Sequence, residues 1–207
     1  MKIAVFGATG KTGIEVVKLA LDRGHEVTVM VRDPKRLPVF SKPINVLIGD
    51  FSDINTVISS VKGQNAVICT LGSRELYKNS GLRTTGTAAI IRAMQQESVQ
   101  RLVVMSSMGI GESWDNLSWF SKALFKLVMP AAREDHEGQE EAVKASSLDW
   151  TLIRPSGLTD VPGISSYEYG TNLTPKTSRI SRVNVADLIL KVLESNAPVH
   201  EALTISN

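Results

Sequence analysis

The sequence has one cysteine, few aromatic residues, little net charge and no long hydrophobic run. Cys69 is the single cysteine among 207 residues, so an intrachain disulfide and a thiolate metal cage are both excluded. A chain without disulfides is typical of a reducing compartment, and we expect a cytoplasmic protein. The formal net charge is only +2, and no dense run of lysine and arginine occurs, so we expect no nucleic-acid partner.

No segment reaches the roughly 20 apolar residues that are needed to span a bilayer. The nearest candidate, Leu117 to Met129, contains Lys122 and Lys126, and we interpret it as amphipathic. It is either a mobile lid over a flat substrate or a helix packed on the core. The apolar run at the N-terminus is too short for a signal peptide. We therefore expect no membrane partner and no secretion signal.

Short apolar runs alternate with helical patterns along the chain. The runs are continuous, as expected of strands that are covered on both faces. Strand and helix in alternation predict parallel pairing with right-handed crossovers, and so an α/β, doubly wound (Rossmann) sheet with helices on both faces. We expect one domain over residues 1–207, with a substrate pocket from about 107–180. The predicted strands are 3–6, 27–31, 46–48, 66–70, 102–105, 150–153 and 202–205, and the predicted helices are 13–23, 54–61, 82–96, 133–146 and 184–194.

Two details of the second half are also predicted. The segment 156–179 is rich in glycine, proline, serine and threonine, which indicates an extended loop region. Asn184 precedes the apolar face of the last helix and is its predicted N-cap.

The first strand runs into a glycine-rich turn, Gly7-Ala8-Thr9-Gly10-Lys11-Thr12-Gly13, and a helix follows it. This strand–turn–helix context is typical of a dinucleotide site. Gly7 and Gly10 permit a tight turn close to a pyrophosphate, and Gly13 lets the helix pack near the strand. The helix N-terminus offers N–H groups to the phosphates, and the hydroxyls of Thr9 and Thr12 add donors. The alternative is a purely structural turn.

The end of the second strand distinguishes the two nicotinamide dinucleotides. An acidic residue there bonds the ribose 2′-hydroxyl of NAD, whereas arginine accommodates the 2′-phosphate of NADP. This chain has Arg32, with Lys35 and Arg36 just beyond, and a guanidinium binds phosphate bidentately. Asp33 complicates the choice, because it serves the ribose if it turns inward. A solvated charged turn is the other alternative, and we favour NADPH.

Further candidates follow the third and fourth strands, at the carboxyl edge where ligands bind in such sheets. After the third strand, Asp50 is placed to accept from an adenine amino group and Phe51 to cover the ring. After the fourth strand, Gly72 permits close approach to a cofactor ribose. The full set of these edge candidates is Asp50, Phe51, Leu71, Gly72, Ser73 and Arg74.

Ser106 and Ser107 end the fifth strand, which faces the nicotinamide in this type of sheet. A hydroxyl there stabilises negative charge that develops on an acceptor during hydride transfer. We favour Ser107 as the catalytic residue because strand alternation leaves it near the opening; the alternative is a serine pair that satisfies backbone groups. No tyrosine has a lysine four residues later, so the Tyr-x-x-x-Lys dyad of alcohol–ketone chemistry is absent.

His136 is the notable titratable residue of the fourth predicted helix. It is either a proton source or cofactor contact, or a solvated surface histidine. The acidic residues around it predict a solvated helix face rather than a metal site: Glu134, Asp135, Glu137, Glu140 and Glu141.

Several of these segments together resemble the atypical short-chain dehydrogenase/reductase superfamily. They are the glycine turn, Val31-Arg32-Asp33, Leu71-Gly72-Ser73-Arg74 and Thr151-Leu152-Ile153-Arg154-Pro155. The short length and Glu134-Asp135-His136 make the chain similar to the flavin reductase/biliverdin-IXβ reductase group, in its bacterial or cyanobacterial members.

That resemblance implies NADPH-dependent reduction of flavins such as FMN and of biliverdin-type linear tetrapyrroles. The substrate-site serine of the group falls on Ser107. One segment departs from the group: where better-known members have Pro-Pro-His-Ile, this chain has Arg154-Pro155-Ser156-Gly157, so the histidine is lost and the proton donor stays open. The expected cofactor contacts are Gly7, Thr9, Gly10, Lys11, Thr12, Arg32, Arg36, Asp50, Phe51, Leu71, Gly72, Ser73, Arg74, His136, Pro155 and Ser156.

The leading hypothesis is hydride transfer from NADPH to a planar conjugated acceptor, for which the protein supplies proximity and electrostatics. The alternative is a non-catalytic NADP(H)-binding redox sensor that resembles nitrogen-regulator proteins. A sugar-nucleotide epimerase is disfavoured, because the Tyr/Lys pair and a large substrate domain are missing. The physiological acceptor and the oligomeric state stay open.

Overall fold

The computed structural model describes residues 1–72, 81–114, 130–163, 166–175, 177–195 and 199–207. Its strands are β1 Lys2–Phe6, β2 Glu26–Val31, β3 Asn45–Ile48, β4 Ala66–Cys69, β5 Arg101–Met105, β6 Asp149–Pro155, β7 Gly157–Thr159, β8 Glu168–Gly170, β9 Arg179–Ser181 and β10 Glu201–Ser206. Its α-helices are α1 Lys11–Asp22, α2 Ile54–Val61, α3 Leu82–Gln96, α4 Pro130–Lys144 and α5 Arg182–Glu194.

Eight strands of these ranges form one twisted layer in the order β3-β2-β1-β4-β5-β6-β10-β8. Neighbouring strands run parallel except β10 and β8, which are antiparallel. The remaining pair, β7 with β9, is also parallel. The order reverses between β1 and β4, and such a reversal opens a crevice at the carboxyl ends of the strands. The predicted doubly wound Rossmann sheet is confirmed.

Helices cover both faces of the sheet because the strands are apolar on both faces. In β1, Ile3 and Val5 are buried in one core with α1 and α5, whereas Ala4 and Phe6 are buried in a second core with α2, α3 and α4. The two cores explain why the central strands have continuous apolar runs. Each helix begins near the carboxyl end of a strand, so the loops at that edge carry the candidate site.

The third strand differs from its prediction, since it is exposed rather than buried. The side chains of Val46 and Ile48 are 41% and 65% exposed, and β3 forms the edge of the sheet. The cause is the connection from β2, which contains a single 3₁₀ turn, Pro34–Arg36, where a helix would cover that face. A shallow apolar trough results, lined in part by Leu37 and Phe40.

Two further predictions for the second half need correction. The segment 156–179 contains β7 and β8 and is therefore not wholly a loop. The last helix begins at Arg182, and Ser181 is its N-cap, with its hydroxyl accepting from the Val183 amide at 3.3 Å. Asn184 lies inside the first turn and is buried, where its amide donates to the Asn207 side chain.

A search of the described helices for a membrane span found none that is both long and apolar enough.

Candidate active site

The glycine turn connects β1 to α1 at the centre of the carboxyl edge. Gly7 has φ +89°, a backbone conformation that side chains rarely adopt, and a Cβ there would lie 2.6 Å from the Thr70 carbonyl oxygen. A Cβ on Gly13 would lie 2.2 Å from the Gly7 carbonyl oxygen, so the helix can pack this close to the turn only with glycine. The Gly10 amide donates to that carbonyl at 2.9 Å. The predicted roles of Gly7 and Gly13 in the turn are confirmed.

The first residues of α1 are arranged as an anion site requires. Gly10 precedes the helix without a side-chain cap, and no acidic residue lies in the first turn. The first amides of α1 therefore have no side-chain acceptor at the N-cap, as is usual where phosphate binds. Thr9 is half-buried and Thr12 is buried.

Lys11, in the same turn, forms an ion pair across the crevice. Its ammonium lies 2.5 Å from a carboxylate oxygen of Asp160, and the other oxygen accepts from Arg182 at 2.5 Å. The two cations lower the pKa of Asp160, by the hydrogen bond from Lys11 first of all. This pair links the glycine turn to the C-terminal half of the chain.

The end of β2 presents exposed cations to the crevice. Arg32 and Arg36 are both exposed there. Asp33 is the N-cap of the 3₁₀ turn, and its carboxylate accepts from the Lys35 amide at 3.0 Å. One oxygen of this exposed carboxylate is therefore engaged in a local cap, and a contact of Asp33 with a ribose stays open.

Asp50 and Phe51 follow β3 at the same edge. The Asp50 carboxylate accepts from the Ser52 amide at 2.8 Å and from the Ser52 hydroxyl at 2.5 Å. These bonds, with a smaller contribution from the charge of Arg32, lower the pKa of Asp50, so it is anionic at neutral pH. The Phe51 ring lies 5.8 Å from that of Phe6 at 38°. The Phe51 ring is thus held against the core by Phe6. A ring held in this way suits the predicted role of Phe51, which is to cover the adenine.

Leu71 and Gly72 follow β4. Leu71 is buried, and a Cβ on Gly86 of α3 would lie 2.8 Å from it and 3.3 Å from Phe51. Glycine at 86 therefore lets α3 approach this corner of the crevice. A Cβ on Gly72 would meet no described atom within 4 Å, and its predicted approach to a cofactor ribose stays a prediction. The predicted site residues Ser73 and Arg74, and the segment 117–129, lie outside the described residues.

The two serines after β5 have different surroundings. Ser106 is buried, and its Oγ lies 3.5 Å from His136 Nδ1. Ser107 is half-buried, and its hydroxyl donates to the Met108 carbonyl at 3.1 Å. Ser107 is thus the more accessible of the two, as strand alternation predicts, and its catalytic role stays a prediction.

His136 is buried on the inner face of α4, so the solvated-surface alternative is wrong. Burial first of all, and then the positive charge of Arg83, lower its pKa from 6.5 to about 3. The imidazole is therefore neutral at physiological pH and holds no ionisable proton to donate there. A neutral imidazole disfavours His136 as a proton source at that pH, and both its proton-source role and its cofactor contact stay predictions.

The acidic run on α4 is not one solvated face, because Asp135 and Glu140 are both buried. Asp135 accepts from the backbone amides of Arg83 and Thr84, at 3.2 and 3.0 Å, and from the Arg83 guanidinium at 3.3 Å. Gly81, the N-cap of α3, has no side chain, so a carboxylate of another helix caps α3 instead. Burial opposes the charge, but these bonds outweigh it and lower the pKa of Asp135.

Glu140 forms a buried ion pair with Arg154 of β6. The Arg154 Nε and Nη2 atoms lie 2.9 and 2.5 Å from the two carboxylate oxygens. The burial of Asp135 and Glu140 was not predicted from the sequence, because the prediction of a solvated face used the charge of these residues and not their spacing. The signal was present, since the buried residues of α4 recur at helical intervals: Ala132, Asp135, His136, Gln139, Glu140 and Val143.

Pro155 and Ser156, at the end of β6, are buried. The Pro155 carbonyl accepts from the Met108 amide at 3.0 Å, which joins β6 to the loop that carries Ser107. The Ser156 hydroxyl donates to Ser206 at 3.2 Å, so the residue that replaces the family's histidine bonds to β10. Neither contact tests the predicted cofactor role.

Within the described ranges, no group of three or more histidine, cysteine or acidic residues could hold a metal ion.

A family model described as NAD(P)H-binding matches residues 7–196. The uncharacterised protein YwnB of Bacillus subtilis is 27% identical over 97% of this chain and 95% of its own length. That match extends over nearly all of both proteins, so the likeness includes the C-terminal half as well as the glycine turn.

Two solved structures share the fold. An anaerobilin reductase from Escherichia coli O157:H7, ChuY, has a TM-score of 0.81 at 21% identity, over 99% of this chain and 96% of that one. A short-chain dehydrogenase/reductase from Veillonella parvula in complex with NADP has a TM-score of 0.85 at 16% identity, over 100% and 94%. Both neighbours share the Rossmann fold of this chain over nearly its whole length. By its glycine turn, sheet order and family match, the chain belongs to the NAD(P)H-binding family.

Proposed function

We propose that this protein is an NADPH-dependent reductase that transfers a hydride to a planar conjugated acceptor, a flavin such as FMN or a biliverdin-type linear tetrapyrrole. The observation that carries the proposal is the proton chemistry beside the nicotinamide end of the crevice. Within the part of the chain that the structure describes, the hydroxyls at the end of β5 belong to Ser106 and Ser107, and the histidine beside them is buried and neutral.

This arrangement disfavours alcohol–ketone reduction, which needs a resident acid or base of suitable pKa. A conjugated acceptor differs, because the added charge spreads over many atoms and water can deliver the proton afterwards. The protein then has to hold the C4 position of the nicotinamide against the acceptor and to donate a hydrogen bond to the developing anion. Ser107 is the hydroxyl that we assign to this donation. This chain shares its fold with an anaerobilin reductase, and that likeness supports an acceptor of the tetrapyrrole class.

The choice of NADPH rests on the end of β2. Arg32 and Arg36 are exposed there, while Asp33 is engaged in a cap. A guanidinium pairs with the 2′-phosphate of NADPH, whereas an uncharged ribose hydroxyl gains less from it. The neighbour that binds NADP supports the same choice.

The deciding experiment mixes the purified protein with NADPH and either FMN or biliverdin, and follows the loss of the reduced-nicotinamide absorbance. We expect turnover of at least one acceptor. Tight NADPH binding without turnover of either would overturn the proposal and favour a redox sensor. Ser107→Ala should lower turnover about tenfold or more without loss of cofactor binding. The matched control is Ser146→Ala, whose hydroxyl also donates to a nearby carbonyl, at the end of α4.

The cofactor choice has its own test. Arg32→Gln should raise the dissociation constant for NADPH by about tenfold to a hundredfold and leave that for NADH nearly unchanged, since a hydrogen bond to a charged group is worth about 1.5–3 kcal/mol. Arg92→Gln, at an exposed position within α3, is the control. Tighter binding of NADH by the wild type would contradict the assignment.

A further inference from the structure

The loop after β5, residues 106–114, carries Ser107 and is held at its start by backbone bonds. The Ser106 amide donates to the Ile153 carbonyl at 2.8 Å, and the Met108 amide donates to the Pro155 carbonyl at 3.0 Å. Both acceptors belong to β6, so the entry of the loop follows that strand. Its later residues are held by the buried side chain of Ile110, by the Trp114 ring, whose centroid lies 4.2 Å from the Arg133 guanidinium carbon, and by an ion pair of Glu112.

The later part of the loop is a small braced unit. Gly109 and Gly111 have φ of +89° and +54°, so two left-handed residues turn the chain sharply. The buried Ser113 hydroxyl accepts from the Gly109 amide at 2.9 Å and donates to the Ile110 carbonyl at 2.7 Å. These bonds join residues 109–113 to one another but not to the rest of the protein.

An ion pair connects this unit to the body of the protein. The Glu112 carboxylate, in the 3₁₀ helix Gly111–Trp114, lies 2.8 Å from Arg154 Nη2 and 2.9 Å from Lys144 Nζ. Arg154 is 2% exposed and is already paired bidentately with the buried Glu140. A Cβ on Gly111 would lie 2.6 Å from Arg154 Nη2, so the loop backbone rests on the guanidinium.

We propose that Glu112 is a positioning residue: its carboxylate holds the Ser107 loop on the buried Arg154–Glu140 pair and so fixes where Ser107 meets the acceptor. This inference rests on the proposed reductase function. The hydrogen bonds from Lys144 and Arg154 lower the pKa of Glu112 to about 2, so its charge persists wherever the protein is folded and active.

The two partners of Arg154 have different consequences for the protein. Glu140 neutralises the buried guanidinium, and the fold depends on it. Glu112 has a side chain that is 72% exposed, and its loss leaves Arg154 still paired with Glu140. An exposed partner contributes little to folding. Loss of the Glu112 charge should therefore loosen residues 109–114. Ser107 would be affected through Met108, whose carbonyl accepts from the Ser107 hydroxyl, while the sheet and the glycine turn stay intact.

The test compares Glu112→Gln with the wild type by hydrogen exchange and by kinetics. Exchange of amides in 109–114 should become about threefold to fivefold faster, because this part of the loop opens more often. The kcat for acceptor reduction should fall about tenfold, since a displaced catalytic group costs rate. The dissociation constant for NADPH should stay within about twofold, because the glycine turn is untouched. Glu15→Gln is the control, since it removes a partly exposed carboxylate that pairs with Lys18 at 2.9 Å.

Three results would overturn the inference. Unchanged exchange in the loop would show that Glu112 does not anchor it. Faster exchange with unchanged kcat would show that the anchor does not position Ser107. A fall in thermal midpoint together with weaker NADPH binding would assign Glu112 a general structural role. If the wild type reduces no acceptor, the proposed function fails, and exchange still decides whether Glu112 anchors the loop.

Discussion

Asp135 caps a helix that it does not belong to, and its removal should destabilise the protein in a pH-dependent way. Its carboxylate accepts from the Arg83 and Thr84 amides at the start of α3 and pairs with the Arg83 guanidinium. The Asp135 side chain is 2% exposed, and that of Arg83 is 9% exposed. Asp135→Ala would therefore leave a cation and two amides without this acceptor in a buried place.

The magnitude follows from the groups that lose a partner. Breaking a buried ion pair from one side costs about 3–5 kcal/mol, and a lost helix cap costs about 0.5–2 kcal/mol. The Arg83–Asp135 contact is long at 3.3 Å, so we take a total of about 3 kcal/mol. For a chain of this size, that free energy lowers the thermal midpoint by about 6–12 °C.

The pH dependence has a definite sign. The pKa of Asp135 is lower in the folded protein than its ordinary value of 3.8, because the bonds from Thr84 and Arg83 outweigh burial. A depressed pKa contributes stability above the unfolded value, and the contribution is lost as pH falls through the folded pKa. The difference in free energy of unfolding between the wild type and Asp135→Ala should thus be at its maximum at pH 7 and should shrink below about pH 4.

Thermal unfolding by circular dichroism, measured from pH 7 down to acid, is the appropriate assay. Glu141→Ala is the matched control, because it removes an exposed carboxylate from the same helix. A midpoint for Asp135→Ala that equals that of the control at pH 7 would refute the capping role. A large difference that persists unchanged in acid would refute the electrostatic explanation.

Three other predictions follow from the site. Gly13→Ala should weaken NADPH binding more than tenfold, since its Cβ would lie 2.2 Å from the Gly7 carbonyl oxygen; Gly170→Ala, where a Cβ meets nothing within 4 Å, is the control in a binding titration. The His136 ring should stay neutral between pH 8 and about pH 5 in an NMR titration, because burial lowers its pKa to about 3; a midpoint near 6.5 would contradict this. Glu140→Gln should lower the free energy of unfolding in urea by about 3 kcal/mol, and an unchanged midpoint would rule out the buried pair as an anchor.

The geometry of the glycine turn could be predicted because it depends on local backbone constraints. Gly7 and Gly13 are required by a positive φ and by close packing within a few residues of each other. Sequence spacing expresses such constraints directly. The cap of Asp33 on the following 3₁₀ turn is equally local, but it was not among the predictions from the sequence.

The buried face of α4 has a signal in its helical spacing, but the partners of its charged residues could not be predicted, because they lie far along the chain. Asp135 meets Arg83, and Glu140 meets Arg154, across a helix–helix and a helix–sheet contact. A run of acidic residues has the composition of a solvated helix face until those cations are known to pack against it. The error about His136 has the same origin, since desolvation is a property of the packed state.

The amino-acid sequence by itself determined the parallel sheet and the glycine turn, because periodicity, glycine placement and the cations after β2 are all local signals. The tertiary structure alone decided which charges are buried. It neutralises His136, turns the Asp135 carboxylate into a cap for α3 and places Arg154 under the loop that carries Ser107. The physical reason is that burial, ion pairing and a shifted pKa arise only where segments distant in sequence exclude water together.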